Sequence, residues 1–113
     1  MDRAARTRPE RAPSEALATI VHSEKALEHI ARAFAFIARH NAGTATRAAK
    51  TLTGAIDTLA EHPLIGARVQ ADIRRLVVSF GTTGYVVLYR FRAEQDVVRI
   101  LAVRHQRELD FDG

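Results

Sequence analysis

Three short apolar runs follow one another in the second half of the chain: IRRLVVSF (73–80), YVVLYRF (85–91) and VVRILAV (97–103). Each is rich in the β-branched and aromatic residues that suit a pleated, half-buried surface. GTTG and AEQD separate them, both of them four-residue turn candidates. The pattern predicts an antiparallel meander of three strands. A sheet of that size must cover one face, so the rest of the chain has to supply a second layer.

The first half can supply it. Ser23 is placed to cap a helix running to about Asn41, with Leu27, Ile30, Ala31, Phe34, Ile37 and Ala38 at three-and-four spacing as its apolar stripe. NAG ends that helix, with Gly43 offering the reversal. Thr44 is a candidate cap for a second helix whose stripe is Ala45, Ala48, Ala49, Leu52, Ile56 and Leu59. His62-Pro63 stops it, because proline disfavours helix at the residue before it. So short a connection implies antiparallel helices. LATIVH (17–22) reads as a short strand joining the sheet edge. The expected fold is therefore α+β: an N-terminal helical hairpin packed on a small antiparallel sheet. It forms one domain over residues 16–113, preceded by a loose Arg/Pro/Ala-rich tail over 1–15.

Composition narrows the chemistry. The chain has no cysteine, which removes disulfides, thiolate nucleophiles and cysteine-based zinc sites together. No run approaches the ~18 apolar residues that span a bilayer, and the first residues lack the apolar core of a secretory signal, so a cytoplasmic protein without membrane contact is expected. His29 and His40 share a helix face but stand ~16 Å apart, and no HxxxH or HExxH spacing occurs, so neither metal nor cofactor is expected. GTTG reads as a hairpin turn rather than a phosphate loop, and no nucleophile-elbow sequence supports serine chemistry. Arginine makes up 15 of the 17 basic residues, and net charge is +4. Guanidinium is the better bidentate partner for phosphate and carboxylate. The charge is compatible with an acidic protein or with nucleic acid and selects neither.

Where those arginines point follows from register. With four-residue turns, Phe80 faces Tyr85, Val78 faces Val87 and Leu76 faces Tyr89; in the next hairpin Arg92 faces Val97, Arg90 faces Arg99 and Leu88 faces Leu101. Side chains alternate between faces. One face then carries Leu76, Val78, Phe80, Tyr85, Val87, Tyr89, Phe91, Val98, Ile100 and Ala102 and should meet the helices. The other carries Val77, Val86, Leu88, Leu101 and Val103 with Arg75, Arg90, Arg92, Arg99 and His105. Arg75 opposite Arg90 and Arg90 opposite Arg99 make a row of like charges, which is unfavourable without an anionic partner. Two readings stand: a solvated face with arginines paired locally to Asp72, Glu94 or Asp96, or a surface for an amphipathic, acidic partner segment. Phe36, off the apolar stripe of the first helix, is either an ordinary exposed ring or a contact.

The last strand runs into Arg104, His105, Gln106, Arg107 and Glu108. Cleavage of a phosphodiester needs a base, an acid and cations. His105 or Glu108 with Arg90, Arg99 and Arg107 could supply them, and the absence of any lysine after Lys50 excludes a lysine-based site on the sheet.

SEKALEHIARAFAFIARHN, HPLIG, IRRLVVSFGTTGYVVLYRF and VVRILAVRHQRELDF, in that order, resemble the RelE/ParE family of bacterial type II toxin–antitoxin (plasmid stabilisation) toxins over about residues 17–111. GYVVLYR (84–90) and RHQRE (104–108) carry the resemblance most specifically. It implies a growth-inhibiting cytoplasmic toxin neutralised by a cognate antitoxin, with a homodimer and a heterotetramer with the antitoxin both open. RelE-like members cleave messenger RNA on the ribosome; ParE-like members act on DNA gyrase without hydrolytic chemistry. By the match, Arg74 precedes the first sheet motif, Arg90 is the arginine of LYR, and His105 and Arg107 belong to the terminal motif. Phe111 stands where a RelE-like chain commonly has a tyrosine, and a phenyl ring can stack but cannot move a proton. With the missing lysines and the long helices, that favours the ParE-like, gyrase-directed branch. The alternatives are a ribosome-dependent endoribonuclease, or a degenerate toxin that only binds its antitoxin. The expected binding surface comprises Arg74, Arg75, Arg90, Arg99, Arg104, Arg107, Val77, Leu88, Leu101 and Phe111; His105, Arg107, Glu108 and Arg90 are the catalytic candidates if the chain is a ribonuclease.

Overall fold

Two antiparallel helices lie across one side of a five-stranded sheet in a computed structural model that describes residues 17–81 and 83–105. Elements run β1 (Thr19–His22), α1 (Glu24–His40), α2 (Ala42–Glu61), β2 (Ala67–Gln70), β3 (Ile73–Phe80), β4 (Thr83–Arg92) and β5 (Val97–His105). Sheet order is β1-β5-β4-β3-β2, antiparallel except that β1 joins β5 in parallel. The α+β expectation holds, including the short N-terminal strand at the edge. The sequence pattern missed β2, a four-residue edge strand exposed along its length, whose alternation is too short to stand out. The expected N-terminal tail lies outside the described residues.

Helix boundaries follow their capping chemistry. Ser23 caps α1, its hydroxyl accepting from the Ala26 N–H at 3.0 Å. Asn41 then does two jobs in a single extended residue. Its backbone N–H donates to the Ile37 carbonyl to close α1, and its side-chain oxygen accepts from the Thr44 N–H at 2.8 Å to open α2. Asn41, not Thr44, is therefore the cap, and Gly43 lies inside α2 rather than in a reversal. The reason is that an Asn oxygen can reach an N–H three residues on without any intervening loop. The α2 stripe is as expected, with Ala45, Ala48, Leu52, Ile56 and Leu59 buried. That of α1 is rotated: Ala26 is buried and Ile30, Ala33, Phe34 and Ile37 pack on the core, while Leu27, Ala31 and Ala38 face solvent.

Core residues from the helix side of the sheet are Val78, Tyr85, Val87, Tyr89, Val98, Ile100 and Val103, closed by Leu52, Ile56 and Leu59 of α2. Among the described residues no helix is long and apolar enough to cross a membrane.

Register departs from expectation at two places. Phe80 pairs Thr83, Val78 pairs Tyr85 and Leu76 pairs Val87, so two positions rather than four separate β3 from β4. Gly81, at φ 61°, takes the left-handed conformation that two-residue hairpins require. A shift of two residues keeps every side chain on its face but moves Arg75 opposite Leu88 and Arg90 opposite Ile73. The β4–β5 hairpin begins as counted, with Arg92 on Val97 and Arg90 on Arg99, and then a bulge intervenes: Tyr89 pairs Ile100, but Leu88 pairs Ala102. One extra residue, Leu101, reverses the faces beyond it. Val103 and His105 turn to the helix side, opposite Val87 and Tyr85; Ala102 and Arg104 turn to the uncovered side, opposite Leu88 and Val86.

The bulge falls where β1 runs out as a partner for β5, and α1 takes over that edge. The Ser23 N–H donates to the Ile100 carbonyl at 3.0 Å, the Ser23 hydroxyl donates to the Leu101 carbonyl at 3.2 Å, and the Val103 N–H donates to His29 Nδ1 at 3.2 Å. Backbone groups that a strand would have paired are met by a helix cap and a helix side chain instead.

Candidate functional site

The uncovered side of the sheet is read directly from the register. One row crosses it as Val21, Arg99, Arg90 and Ile73, from β1 to β3. The next is Ala102, Leu88 and Arg75, and a third is Arg104, Val86 and Val77. Arg92 and Val97 pair at the far end. Five arginines therefore share one face with aliphatic side chains between them. Val77 is 51% exposed, a large value for valine in the middle of a strand.

Arg90 and Arg99 stand directly opposite each other, as the sequence predicts, while Arg75 is displaced by one pair along the strands. Arg90 is half-buried and its Nε donates to Asp72 Oδ1 at 2.9 Å. Asp72 sits in the two-residue β2–β3 turn behind Ala71, which adopts φ 46°. Among the described residues, neither the Arg75 nor the Arg99 guanidinium has an ion-pair or hydrogen-bond partner. Local pairing thus accounts for one guanidinium of the three.

Arg74 belongs elsewhere. It pairs with Tyr89 on the opposite side of the sheet, and its Nη1 donates to the carbonyls of Gly66 at 2.7 Å and Leu64 at 3.3 Å. Alternation along β3 separates it from Arg75, so it ties down the α2–β2 connection rather than joining the exposed row. The same connection is held by the Tyr89 hydroxyl, which accepts from the Gly66 N–H at 2.8 Å. Burial raises the Tyr89 phenol above its ordinary value, against the smaller lowering effects of the Gly66 N–H and the Arg74 charge. Burial raises Tyr85 as well.

His105 also leaves the expected face. Its ring meets Tyr85 edge-on, with centroids 5.3 Å apart, on the side away from Arg90 and Arg99. Leu101 is the bulged residue, half-buried. Arg104 remains on the uncovered side, half-buried. Arg107, Glu108 and Phe111 lie outside the described residues.

Aromatic placement on the sheet is one-sided. Phe80, Tyr85, Tyr89 and Phe91 all fall on the helix side. Among the described residues the arginine face has no aromatic ring and no imidazole, only guanidinium, aliphatic and small polar groups. Val21 on β1 extends it beside Arg99, a neighbour that only the parallel β1–β5 register discloses. Phe36 is 57% exposed on α1, with the Arg39 guanidinium 5.4 Å from its ring centroid and His40 beside it. It is remote from the arginine face.

Residues 20–110 match the family model described as the ParE toxin of the type II toxin-antitoxin system, parDE. A protein named Toxin RelE3, from Caulobacter vibrioides, is 42% identical over 52 residues, covering 46% of this chain and 54% of that protein. The chain thus spans about half the length of the curated relative it matches. Among solved structures, the toxin–antitoxin complex RelBE2 from Mycobacterium tuberculosis contains a chain with a TM-score of 0.52 at 22% identity, covering 79% of this chain and 98% of that one. The isolated E. coli RelE toxin gives a TM-score of 0.50 at 19% identity, covering 78% and 83%. At such identities these two similarities establish the fold.

Proposed function

Since the chain belongs to the ParE toxin family of type II toxin–antitoxin systems, we propose that it is a cytoplasmic toxin that inhibits DNA gyrase by binding. In this reading its arginine face is where a cognate antitoxin neutralises it. The supporting observation is the composition of that face. Arg75, Arg90, Arg92 and Arg99 alternate with Val77, Leu88, Val97 and Ile73, without an aromatic ring or an imidazole among the described residues. Grooves that hold single-stranded nucleic acid combine charge with aromatic side chains on which successive bases stack. Phosphodiester cleavage also needs an acid and a base beside the cations. A surface of aliphatic and guanidinium groups suits an amphipathic peptide bearing carboxylates better than it suits a cleaved RNA. The antitoxin then covers Val77 and Leu88 and brings carboxylates to the arginines.

A ribosome-dependent endoribonuclease is the second reading, favoured by the similarity to Toxin RelE3. It would draw on Arg90 with Arg107 and Glu108, whereas His105, turned to the helix side against Tyr85, would not share a site with Arg90. The two are separated by expressing the chain under control with and without the neighbouring open reading frame, then assaying the purified protein. The gyrase reading predicts growth arrest relieved by the neighbour, inhibited supercoiling and intact ribosome-bound message. Message cleavage with unaffected supercoiling would overturn it.

A further inference from the structure

Arg90 is the most crowded cation on the arginine face. Arg99 stands directly opposite it on β5, Arg75 lies one pair away on β3, and its side chain is only 28% exposed. Directly opposed like charges on neighbouring strands repel, the more so where water is partly excluded. What relieves Arg90 is Asp72, through a single hydrogen bond to Nε, from a tight turn that fixes the aspartate beside it. Among the described residues the terminal nitrogens of Arg90 have no hydrogen-bond partner, which leaves them as donors. With Asp72 52% exposed, the pair is weak enough for a partner's carboxylate to displace it.

We propose that Asp72 is a built-in stand-in for the partner's carboxylate at Arg90: it occupies the guanidinium in the free protein and yields it when an acidic, aliphatic peptide segment docks on the face. This rests on the reading of that face as a peptide-binding surface. A carboxylate anchored in the same hairpin neighbourhood neutralises Arg90 while the protein is alone. It also raises the threshold for partners, because an incoming carboxylate must take the guanidinium from an existing acceptor. A segment that presents one carboxylate gains little, whereas one that also engages Arg75 and Arg99 has two cations with no competing partner among the described residues. Asp72 thereby sets a requirement for several carboxylates interleaved with apolar residues.

The test is a double-mutant cycle at constant ionic strength, using fluorescence anisotropy of a labelled synthetic peptide alternating glutamate with leucine and valine. Wild type, Asp72→Asn, Arg90→Ala and the double variant are compared. Removing the stand-in raises affinity about two- to fivefold when Arg90 is present. In the Arg90→Ala background the same change alters affinity by less than about 1.5-fold, because no guanidinium is left to release. An equal gain in both backgrounds would show that Asp72 acts only as one more negative charge, and a loss on Asp72→Asn would show that it supports Arg90 for binding. Either result overturns the proposal while leaving the peptide-binding reading intact. Failure of the wild type to bind the peptide, or tighter binding of a labelled oligothymidine, removes the peptide-binding reading itself, and this inference with it.

Discussion

Tyr89 and Gly66 are fastened by a hydrogen bond in which the Gly66 backbone N–H donates to the Tyr89 hydroxyl across 2.8 Å, in a region where Tyr89 is fully buried. A Cβ at position 66 would lie 2.6 Å from the Arg75 carbonyl oxygen and 2.7 Å from the Tyr89 hydroxyl. Glycine is needed there because the strand backbone and the phenol leave no room for a side chain. Gly66→Ala is expected to lower stability by about 1–3 kcal/mol, as overpacking does. Tyr89→Phe should cost a similar ~1–3 kcal/mol through the unpaired N–H. Denaturant midpoints of both variants check this; unchanged midpoints would mean that the Gly66–Tyr89 bond does not hold the connection.

The buried phenols give a direction for alkaline sensitivity. In Tyr85 and Tyr89 the folded protein holds the proton more tightly than the unfolded chain does. Their contribution is therefore intact below the unfolded value of about 10 and is lost as pH rises through the folded value. Denaturant midpoints should fall steeply above about pH 10. Tyr85→Phe should flatten that fall, since the ring remains and the ionisable group does not. A fall of the same size in the variant would contradict the assignment.

Asn41 should be a sensitive position between the helices. Asn41→Ala removes the oxygen that accepts from the Thr44 N–H but keeps the backbone donor to Ile37. The expected cost is ~0.5–2 kcal/mol, with Asn41→Asp or Asn41→Ser recovering most of it. Thr44→Ala should be nearly neutral, the reverse of what a cap at Thr44 requires. Chemical denaturation of the four variants decides between the two positions.

His29→Ala leaves the Val103 N–H without its acceptor at the edge that β1 does not reach. Hydrogen exchange should accelerate at Val103 and its neighbours in β5, with little change in β3. Unaltered exchange at Val103 would show that this edge is held by other contacts.

The fold was legible where hydrophobic period and turn chemistry agreed. The α2 stripe, the Ser23 cap, the His62-Pro63 stop and the Arg92–Val97 hairpin all rest on local rules, and all stand as expected. Faces up to Ile100 are those the alternation predicts, because the β3–β4 register differs from the four-residue-turn expectation by an even number of residues. Beyond Ile100 a single extra residue exchanged Val103 with Ala102 and sent His105 to the helix side. No local signal marks that bulge; it follows from where β1 ends and Ser23 and His29 begin to serve β5. Arg74 and Arg75 are adjacent and chemically identical in sequence, and only the strand's alternation assigns one to a structural tie and the other to the exposed face.

The sheet face left open by the helices is the surface on which we propose that a protein partner docks. The most direct measurement is the Kd of the protein encoded by the neighbouring open reading frame for wild type and for the Arg75→Ala, Arg99→Ala double variant, across a salt series. The account predicts a loss of about tenfold or more at moderate salt, narrowing as salt screens the wild-type contacts. Equal affinities throughout, with both proteins folded, would contradict it.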